Sequence, residues 1–196
     1  MIKLLWNLFA LIGLAIVALL IFGIVRSGPA VTNLAEFDPR AAQTYGEIAE
    51  QLLVTGSGPE ATIWKIPVEE GLTAEEVEDT MRFVANEHNI KNVGELPLYK
   101  EVEAISGKPF RFLKIYMFCN AMTAARMLDL SDAFSAYLPC RISMVEDKQG
   151  KLWLYTLNMD LMIYGGKTLP DDLKAEAVQV KEIILDIMNR GATGEF

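Results

Sequence analysis

The sequence contains one histidine, His88, and two cysteines, Cys119 and Cys140, in 196 residues. A single histidine excludes zinc sites built from several histidines and the H-E-x-x-H motif of metalloproteases. It also leaves no second candidate for the histidine of a Ser-His-Asp catalytic triad. The Gly-Ser-Gly-Pro stretch at 56–59 lacks the lysine of a phosphate-binding loop. We therefore predict no catalytic residue and no resident cofactor, and we expect a protein that is not an enzyme.

Basic residues are outnumbered, with 18 Lys and Arg against 26 Asp and Glu and a net charge of −8. All 26 acids follow residue 26, and Lys3 and Arg26 take two of the basic residues, so the remaining chain carries a net charge of −10. Such a surface repels nucleic-acid phosphates and anionic lipid headgroups. We expect no nucleic-acid partner, and instead a cationic protein or a membrane protein complex.

Charge is absent altogether from Leu4 to Val25, which reads LLWNLFALIGLAIVALLIFGIV. A helix of this length is roughly 33 Å long, enough to cross the hydrocarbon core of a bilayer. The alternative is a cleaved signal peptide, which has a shorter apolar core and a small-x-small cleavage site. The Ser-Gly-Pro-Ala that follows Arg26 offers no such site. We therefore predict that residues 4–25 form one uncleaved signal-anchor helix in the lipid bilayer.

The orientation of this anchor rests on its flanks, where Lys3 on one side nearly balances Arg26 on the other. The very short N-terminal tail and the acidic domain favour a single-pass inner-membrane protein with its domain on the periplasmic side. Asn7, Gly13 and Gly23 are the residues that we expect to contact a partner helix. Small residues let helices approach closely, and an amide can donate a hydrogen bond inside the bilayer.

Helix signals recur along the rest of the chain, which we divide into a linker with a helix at 27–60 and a soluble domain at 61–196. Asp38-Pro39 predicts a helix start, and residues 56–59 predict its end. A capping box at 73–76 opens a second helix, with His88 near its C-terminal end. Asp171-Asp172 begins a long helix that Gly191 is expected to stop. Its predicted inner stripe consists of Leu173, Ala177, Val180, Ile184 and Ile187.

Alternation of apolar residues predicts the strands. The strongest is Phe110 to Cys119, and Cys140 to Val145 forms a hairpin with Lys151 to Leu157 around an acidic turn. Weaker strands are predicted at 61–68 and 92–98, and short helices at 120–128 and 132–137. Strands interleaved with helices, without a strict βαβ repeat, predict an α+β fold in which helices pack on a single sheet.

The cysteines are the main candidates for chemistry, and three alternatives stay open: a Cys119–Cys140 disulfide, two buried structural thiols, or a redox or metal-binding pair. Cys119 lies just before a predicted helix, whose dipole is expected to lower its thiol pKa. Methionines lie near the cysteines in sequence, and Met117 with both cysteines forms a soft-ligand set for copper or haem. The alternative for the methionines is flexible core filling.

A family resemblance rests on four short motifs in the second half of the chain: Cys119-Asn120, Leu138-Pro139-Cys140, Glu146-Asp147 with Gly150, and Trp153. Their order resembles the prokaryotic family called domain of unknown function 302, or DUF302, over roughly 66–160. Ala121 stands where the family usually has proline, so a rigid turn is not implied there. The resemblance implies an α+β fold and often a homodimer, and it implies no activity.

Two functions from different classes remain. The first is a membrane-tethered, non-catalytic accessory or binding domain that serves as a subunit of, or assembly factor for, a membrane protein complex. The second is a thiol-redox or soft-metal binding protein that uses Cys119 and Cys140.

Overall fold

The N-terminal helix stands apart from the core of the protein. The computed structural model describes residues 2–26 and 33–196, so most of the predicted linker lies outside the described residues. Helix α1 spans Ile2–Arg26, and its stretch Phe9–Arg26 is long and apolar enough to cross a membrane while none of it is buried. A signal sequence has the same position and composition as such an anchor.

The remaining elements alternate between helices and strands. The helices are α2 Ala41–Thr55, α3 Gly58–Ala61, α4 Ala74–Glu87, α5 Leu98–Ser106, α6 Ala121–Leu130, α7 Asp160–Tyr164 and α8 Asp171–Thr193, with a 3₁₀ helix at Asp132–Ala136. The strands are β1 Ile63–Pro67, β2 Lys91–Leu96, β3 Leu113–Cys119, β4 Cys140–Glu146 and β5 Leu152–Leu157.

These strands form a single antiparallel sheet in the order β1-β5-β4-β3-β2. The predicted neighbours β3, β4 and β5 are adjacent, and β4 and β5 form the predicted hairpin. The α+β fold with one sheet is therefore confirmed.

The core lies between the sheet and the two long helices α4 and α8, which also pack on each other. Fully buried side chains on the inner face of the sheet are Tyr116, Phe118, Ile142, Met144 and Leu154. Burying one side chain of this size stabilises the fold by about 1.5–3 kcal/mol. Helix α8 contributes its predicted stripe of apolar side chains to this core. All members of the stripe are buried except Val180, which is half-buried.

Helix α4 starts as its sequence predicts. The Thr73 backbone N–H donates to Glu76 Oε2 at 2.7 Å, and the Glu76 N–H donates to the Thr73 hydroxyl at 3.3 Å. This reciprocal pair satisfies two N–H groups that the first turn would otherwise leave without a partner.

The start of α2 and the end of α8 differ from the sequence prediction. Helix α2 begins at Ala41, after a turn in which the Asp38 carboxylate accepts the Arg40 N–H at 2.9 Å, as an N-terminal cap does, and also pairs with Lys174. Helix α8 continues through Gly191 to Thr193, and Gly194, with φ of 71°, ends it. Gly191 instead provides close packing, since a Cβ there would lie 2.6 Å from Met81 Cγ. Helix α7 was not predicted.

The segment before α2 is docked on the domain. The Asp38 N–H donates to the Gly166 carbonyl at 2.9 Å, and the Tyr45 hydroxyl donates to the Gly165 carbonyl at 2.7 Å. The Arg40 guanidinium lies 4.0 Å from the centre of the Tyr164 ring. These contacts fix α2 to the turn between α7 and α8.

Candidate functional site

The two cysteines lie side by side in the sheet, Cys119 at the end of β3 and Cys140 at the start of β4. Phe118 is the direct partner of Cys140, which places Cys119 one residue away along the neighbouring strand. Cys119 is half-buried and Cys140 is buried. Both are free thiols, so this structure does not contain the Cys119–Cys140 disulfide, which was one of the three alternatives.

Both thiols line a small apolar cavity of about 20 Å³. Three methionines complete its wall: Met127 from α6, Met159 from the turn before α7, and Met162 from α7. Five sulfur-containing residues from five parts of the fold therefore line one cavity. These three are among the methionines that lie near the cysteines in sequence, but the sequence does not show that they line the same cavity, because this depends on how the strands and helices pack.

Local sequence explains why α6 covers this cavity. Asn120 directly follows β3, and its Oδ1 accepts the N–H groups of Met122 and Thr123, each at 3.2 Å. This cap turns the chain from strand to helix within one residue and places Thr123 and Met127 over the thiols. The chain returns through Leu138, which also lines the cavity, and a cis Leu138–Pro139 peptide into β4.

The environment raises both thiol pKa values. Burial raises the pKa of Cys119, and burial together with the nearby Cys119 raises the pKa of Cys140 to about 11. The expected lowering by the α6 dipole is therefore wrong. Asn120 occupies the free N–H groups of the first turn, and apolar surroundings disfavour a thiolate.

Met117, the third residue of the predicted soft-ligand set, does not line the cavity. It lies against β2, where a Cβ on Gly94 would be 2.7 Å from Met117 Cε, and its cross-strand partner is Arg141. Glycine at position 94 is what lets the Met117 side chain cross the neighbouring strand.

His88 directly follows the last residue of α4, at the C-terminal cap position that its sequence predicts. Its Nε2 lies 2.7 Å from Asp186 Oδ2, on α8, and both side chains are exposed to solvent. The contact ties the ends of α4 and α8 together at the surface.

A polar cluster between α4 and the sheet was not predicted. Lys114 Nζ lies 2.8 Å from both Glu78 Oε2 and Glu95 Oε2. Arg82 donates to Glu95 at 2.8 Å, and the Tyr116 hydroxyl donates to Glu78 at 2.6 Å. The available signals were the Glu78–Arg82 spacing on one helix face and a lysine among the apolar residues of β3.

The charges of this cluster are balanced. Burial raises the pKa of Glu95, but hydrogen bonds from Lys114 and Arg82 outweigh it, so the pKa lies below its ordinary value. Burial lowers the pKa of Lys114, and its bonds to Glu78 and Glu95 raise it above its ordinary value. Glu95 stays ionised at neutral pH and cannot act as a general acid. The cluster joins α4 to β2 and β3.

The acidic pair Glu146-Asp147 builds the β4–β5 turn. Asp147 accepts the N–H groups of Gln149 and Lys151, each at 2.9 Å, and the indole N–H of Trp153, also at 2.9 Å. The Lys151 N–H and Trp153 hold the pKa of Asp147 below its ordinary value. This part of the family motif therefore has a structural role.

The sheet also has an outer face, formed by the alternate strand residues that point away from α4 and α8. Its apolar members are half-buried or exposed and include Leu96, Ile115, Val145, Trp153, Tyr155 and Leu157. The charged side chains at its strand positions are Lys65, Lys91 and Arg141. This surface is apolar and basic in an otherwise acidic domain.

A larger cleft lies between α2 and β1, with a volume of about 480 Å³. Polar side chains of Glu47, Gln51, Lys65 and Asn158 line it beside Trp64. It is a wide groove at the sheet edge, and neither cysteine lines it.

The two strand-end motifs that carry the family resemblance now have a common location. Cys119, Asn120, Leu138 and Cys140 all line the sulfur-rich cavity. The family model described as Domain of unknown function DUF302 matches residues 64–191. The chain belongs to the DUF302 family. The matched DUF302 domain contains the cavity, the polar cluster and the β4–β5 turn, while α1 and α2 precede it.

A crystal structure of an uncharacterized conserved DUF302 protein from Bacillus stearothermophilus resembles this chain, with a TM-score of 0.53 and 15% sequence identity. The alignment covers 66% of this chain and 97% of that chain. At this identity the likeness establishes the shared fold. Among curated proteins, none matches the chain.

Proposed function

We propose that this protein is a membrane-anchored, non-catalytic accessory subunit, in which α1 holds a DUF302 domain next to a partner membrane protein complex. The observation that carries the proposal is the contrast between α1 and the domain. The stretch Phe9–Arg26 has no buried residue, whereas the domain has a closed core of its own between the sheet, α4 and α8.

An apolar helix without a protein cover is stable in a lipid bilayer, where its backbone hydrogen bonds are satisfied internally. The absence of a small-x-small site after Arg26 supports retention of the helix in the mature protein. The net charge of −10 on the chain after Arg26 favours an inner-membrane location with the domain on the periplasmic side, away from the anionic lipids of the cytoplasmic leaflet.

The surface of the domain favours a cationic partner. Exposed carboxylates on α4 and α8 include Glu75, Asp79, Glu87, Asp171 and Glu182. A positive patch on a partner would be attracted to this helical surface, and the attraction would weaken as salt rises.

Helix geometry limits which residues of α1 one partner helix can contact. At 3.6 residues per turn, Asn7 and Gly23 point about 160° apart, and Gly13 lies between them. Space around both glycines is open. We assign the contact to the Asn7 side, because an amide in the bilayer gains about 1 kcal/mol from a hydrogen bond to a partner helix.

The test is a pulldown of the full chain through a C-terminal tag in mild detergent, followed by identification of the co-purifying proteins. Replacing residues 4–25 with polyleucine should abolish co-purification while the domain stays folded and membrane-bound. Asn7→Leu should weaken co-purification, and Ile16→Leu, on the opposite side of the helix and outside the predicted contact residues, is the matched control.

Two results would contradict the proposal. If the full chain recovers no membrane protein, it is not a stable subunit. If the polyleucine protein keeps the same partners, α1 is only a tether and the domain carries the interaction.

A further inference from the structure

We propose that the sulfur-rich cavity is a binding site for a single Cu(I) ion, with Cys119 and Cys140 as thiolate ligands and a methionine thioether beside them. The inference goes beyond the accessory role and does not depend on it. It rests on which atoms meet in the cavity, on its size and on the chemistry of its donors.

The sulfur-containing residues that line the cavity come from segments that are distant in sequence. Cys119 ends β3, Cys140 begins β4, Met127 comes from α6, and Met159 and Met162 come from the turn after β5 and from α7. Methionine that only fills a core does not require cysteine neighbours. Here both cysteines of the protein and three of its nine methionines line the same cavity.

The cavity has room for one small atom. Its volume of about 20 Å³ is close to that of one water-sized sphere, so it cannot hold the haem that the sequence left open. A water molecule needs two to four polar partners, which this wall does not offer. The Thr123 hydroxyl already donates to Glu176 at 3.2 Å, and Asn120 Oδ1 caps α6.

The donor set favours copper over zinc. Zinc sites in proteins take four ligands from thiolate, imidazole and carboxylate groups. Among the described residues, no three His, Cys, Asp or Glu side chains are placed to hold a metal. The additional donors here are thioethers, and thiolate with thioether is the combination that selects Cu(I) among the common metals.

Binding is a ligand exchange without electron transfer. Each thiol S–H bond breaks, a Cu–S bond forms and the proton passes to solvent, while copper remains Cu(I). Half-buried Cys119 and Met162 lie beside exposed Asn120 and give the ion a path from the surface. Because two thiols release protons, affinity should rise steeply with pH below the thiol pKa values.

The test uses the full chain in detergent, reduced and free of oxygen, titrated with Cu(I) against a chromogenic Cu(I) chelator. We expect one Cu(I) per chain. Cys119→Ser and Cys140→Ser should each lower the affinity by at least about 100-fold. Loss of a residue that only supports a metal ligand lowers the affinity by about 10–100-fold, so a larger loss identifies a ligand. Met117→Leu is the matched control and should leave the affinity unchanged, since Met117 does not line the cavity.

X-ray absorption of the copper-loaded wild type provides a readout that does not depend on variant folding, and it should show sulfur neighbours only. Nitrogen or oxygen neighbours would overturn the proposal. So would failure of the wild type to compete with the chelator, or a Cys119→Ser, Cys140→Ser double variant that binds as well as the wild type. Met159→Leu and Met162→Leu then identify the thioether, because loss of the ligand lowers affinity and loss of a neighbour does not.

Discussion

At the scale of single residues, Asp38 has the most constrained environment among the charged groups described here. Its side chain is fully buried and pairs with Lys174, which is 26% exposed, and it also accepts the Arg40 N–H. Removing one partner of such a pair leaves the other charge without compensation. Asp38→Asn should therefore lower the free energy of unfolding by about 2–3 kcal/mol at neutral pH, measured by chemical denaturation.

The same pair predicts a pH dependence. Burial raises the pKa of Asp38, but Lys174 and the Arg40 N–H outweigh it, so the folded pKa lies below the ordinary 3.8. The stabilisation is present above the unfolded pKa and is lost as pH falls through the lower folded pKa. The difference between wild type and Asp38→Asn should thus shrink below about pH 4. An equal difference at pH 7 and pH 3 would contradict this assignment.

Two glycines in helices should respond oppositely to alanine. A Cβ at Gly191 would lie 2.6 Å from the buried Met81 Cγ, whereas nothing lies within 4 Å of a Cβ at Gly46 in α2. Gly46→Ala should stabilise the protein by roughly 0.5–1 kcal/mol through helix propensity. Gly191→Ala should destabilise it by about 1–2 kcal/mol, because overpacking outweighs the same gain. Thermal unfolding of both variants checks the pair, and stabilisation by Gly191→Ala would refute the packing role.

At the scale of elements, α8 supports the core through its buried stripe. Ile184 is fully buried, and a carboxylate there would have no partner to compensate its burial. Ile184→Asp should unfold or aggregate the full chain, and Gln179→Asp, at an exposed position of the same helix, should leave the melting temperature within a few degrees. If Ile184→Asp melts like the wild type, α8 is peripheral to the core.

The outer face of the sheet is the element that we expect to mediate the homodimer that the family resemblance implies. Its centre is apolar and half-exposed, around Trp153 and Tyr155. Placing a carboxylate there should dissociate a dimer, because the charge would lose water on association. Light scattering of the full chain in detergent should therefore report a dimer for the wild type and a monomer for Tyr155→Glu. A monomeric wild type would contradict the expectation.

Elements with strong local signals could be predicted from the sequence. The capping box of α4, the alternation of β3 and the β4–β5 hairpin each depend on neighbours within a few residues. Asp38-Pro39 predicted the start of α2 to within two residues, but the pairing of Asp38 with Lys174, far along the chain, could not be predicted. Helix α7 is too short for its periodicity to be visible.

The same distinction applies to the candidate site. Cys119 and Cys140 could be singled out by residue type and by their position at strand ends. Met159 and Met162 were candidates only as methionines near the cysteines in sequence, and their place at the cavity depends on the register of β4 and β5 and the turn that follows. Met117, although near Cys119 in sequence, lies against Gly94. Nearness in sequence was a poor guide to which sulfur atoms share a cavity.

At the scale of the whole molecule, α1 and the domain make opposite demands on their surroundings. The apolar surface of α1 is exposed and would be stable in lipid, while the chain after Arg26 carries a net charge of −10. A domain on the periplasmic side of the inner membrane, as we propose, would keep this negative charge away from the anionic lipids of the cytoplasmic leaflet.

This arrangement predicts the outcome of proteolysis on intact spheroplasts. Trypsin added outside should cleave the domain, which has exposed sites such as Lys148 and Lys167, and should leave α1 in the membrane fraction. A cytoplasmic protein serves as the control for spheroplast integrity and should stay intact. Full protection of the domain would reverse the orientation. Release of an intact domain whose N-terminus begins near residue 30 would instead make α1 a cleaved signal sequence, and the intact mass of the purified protein distinguishes these cases.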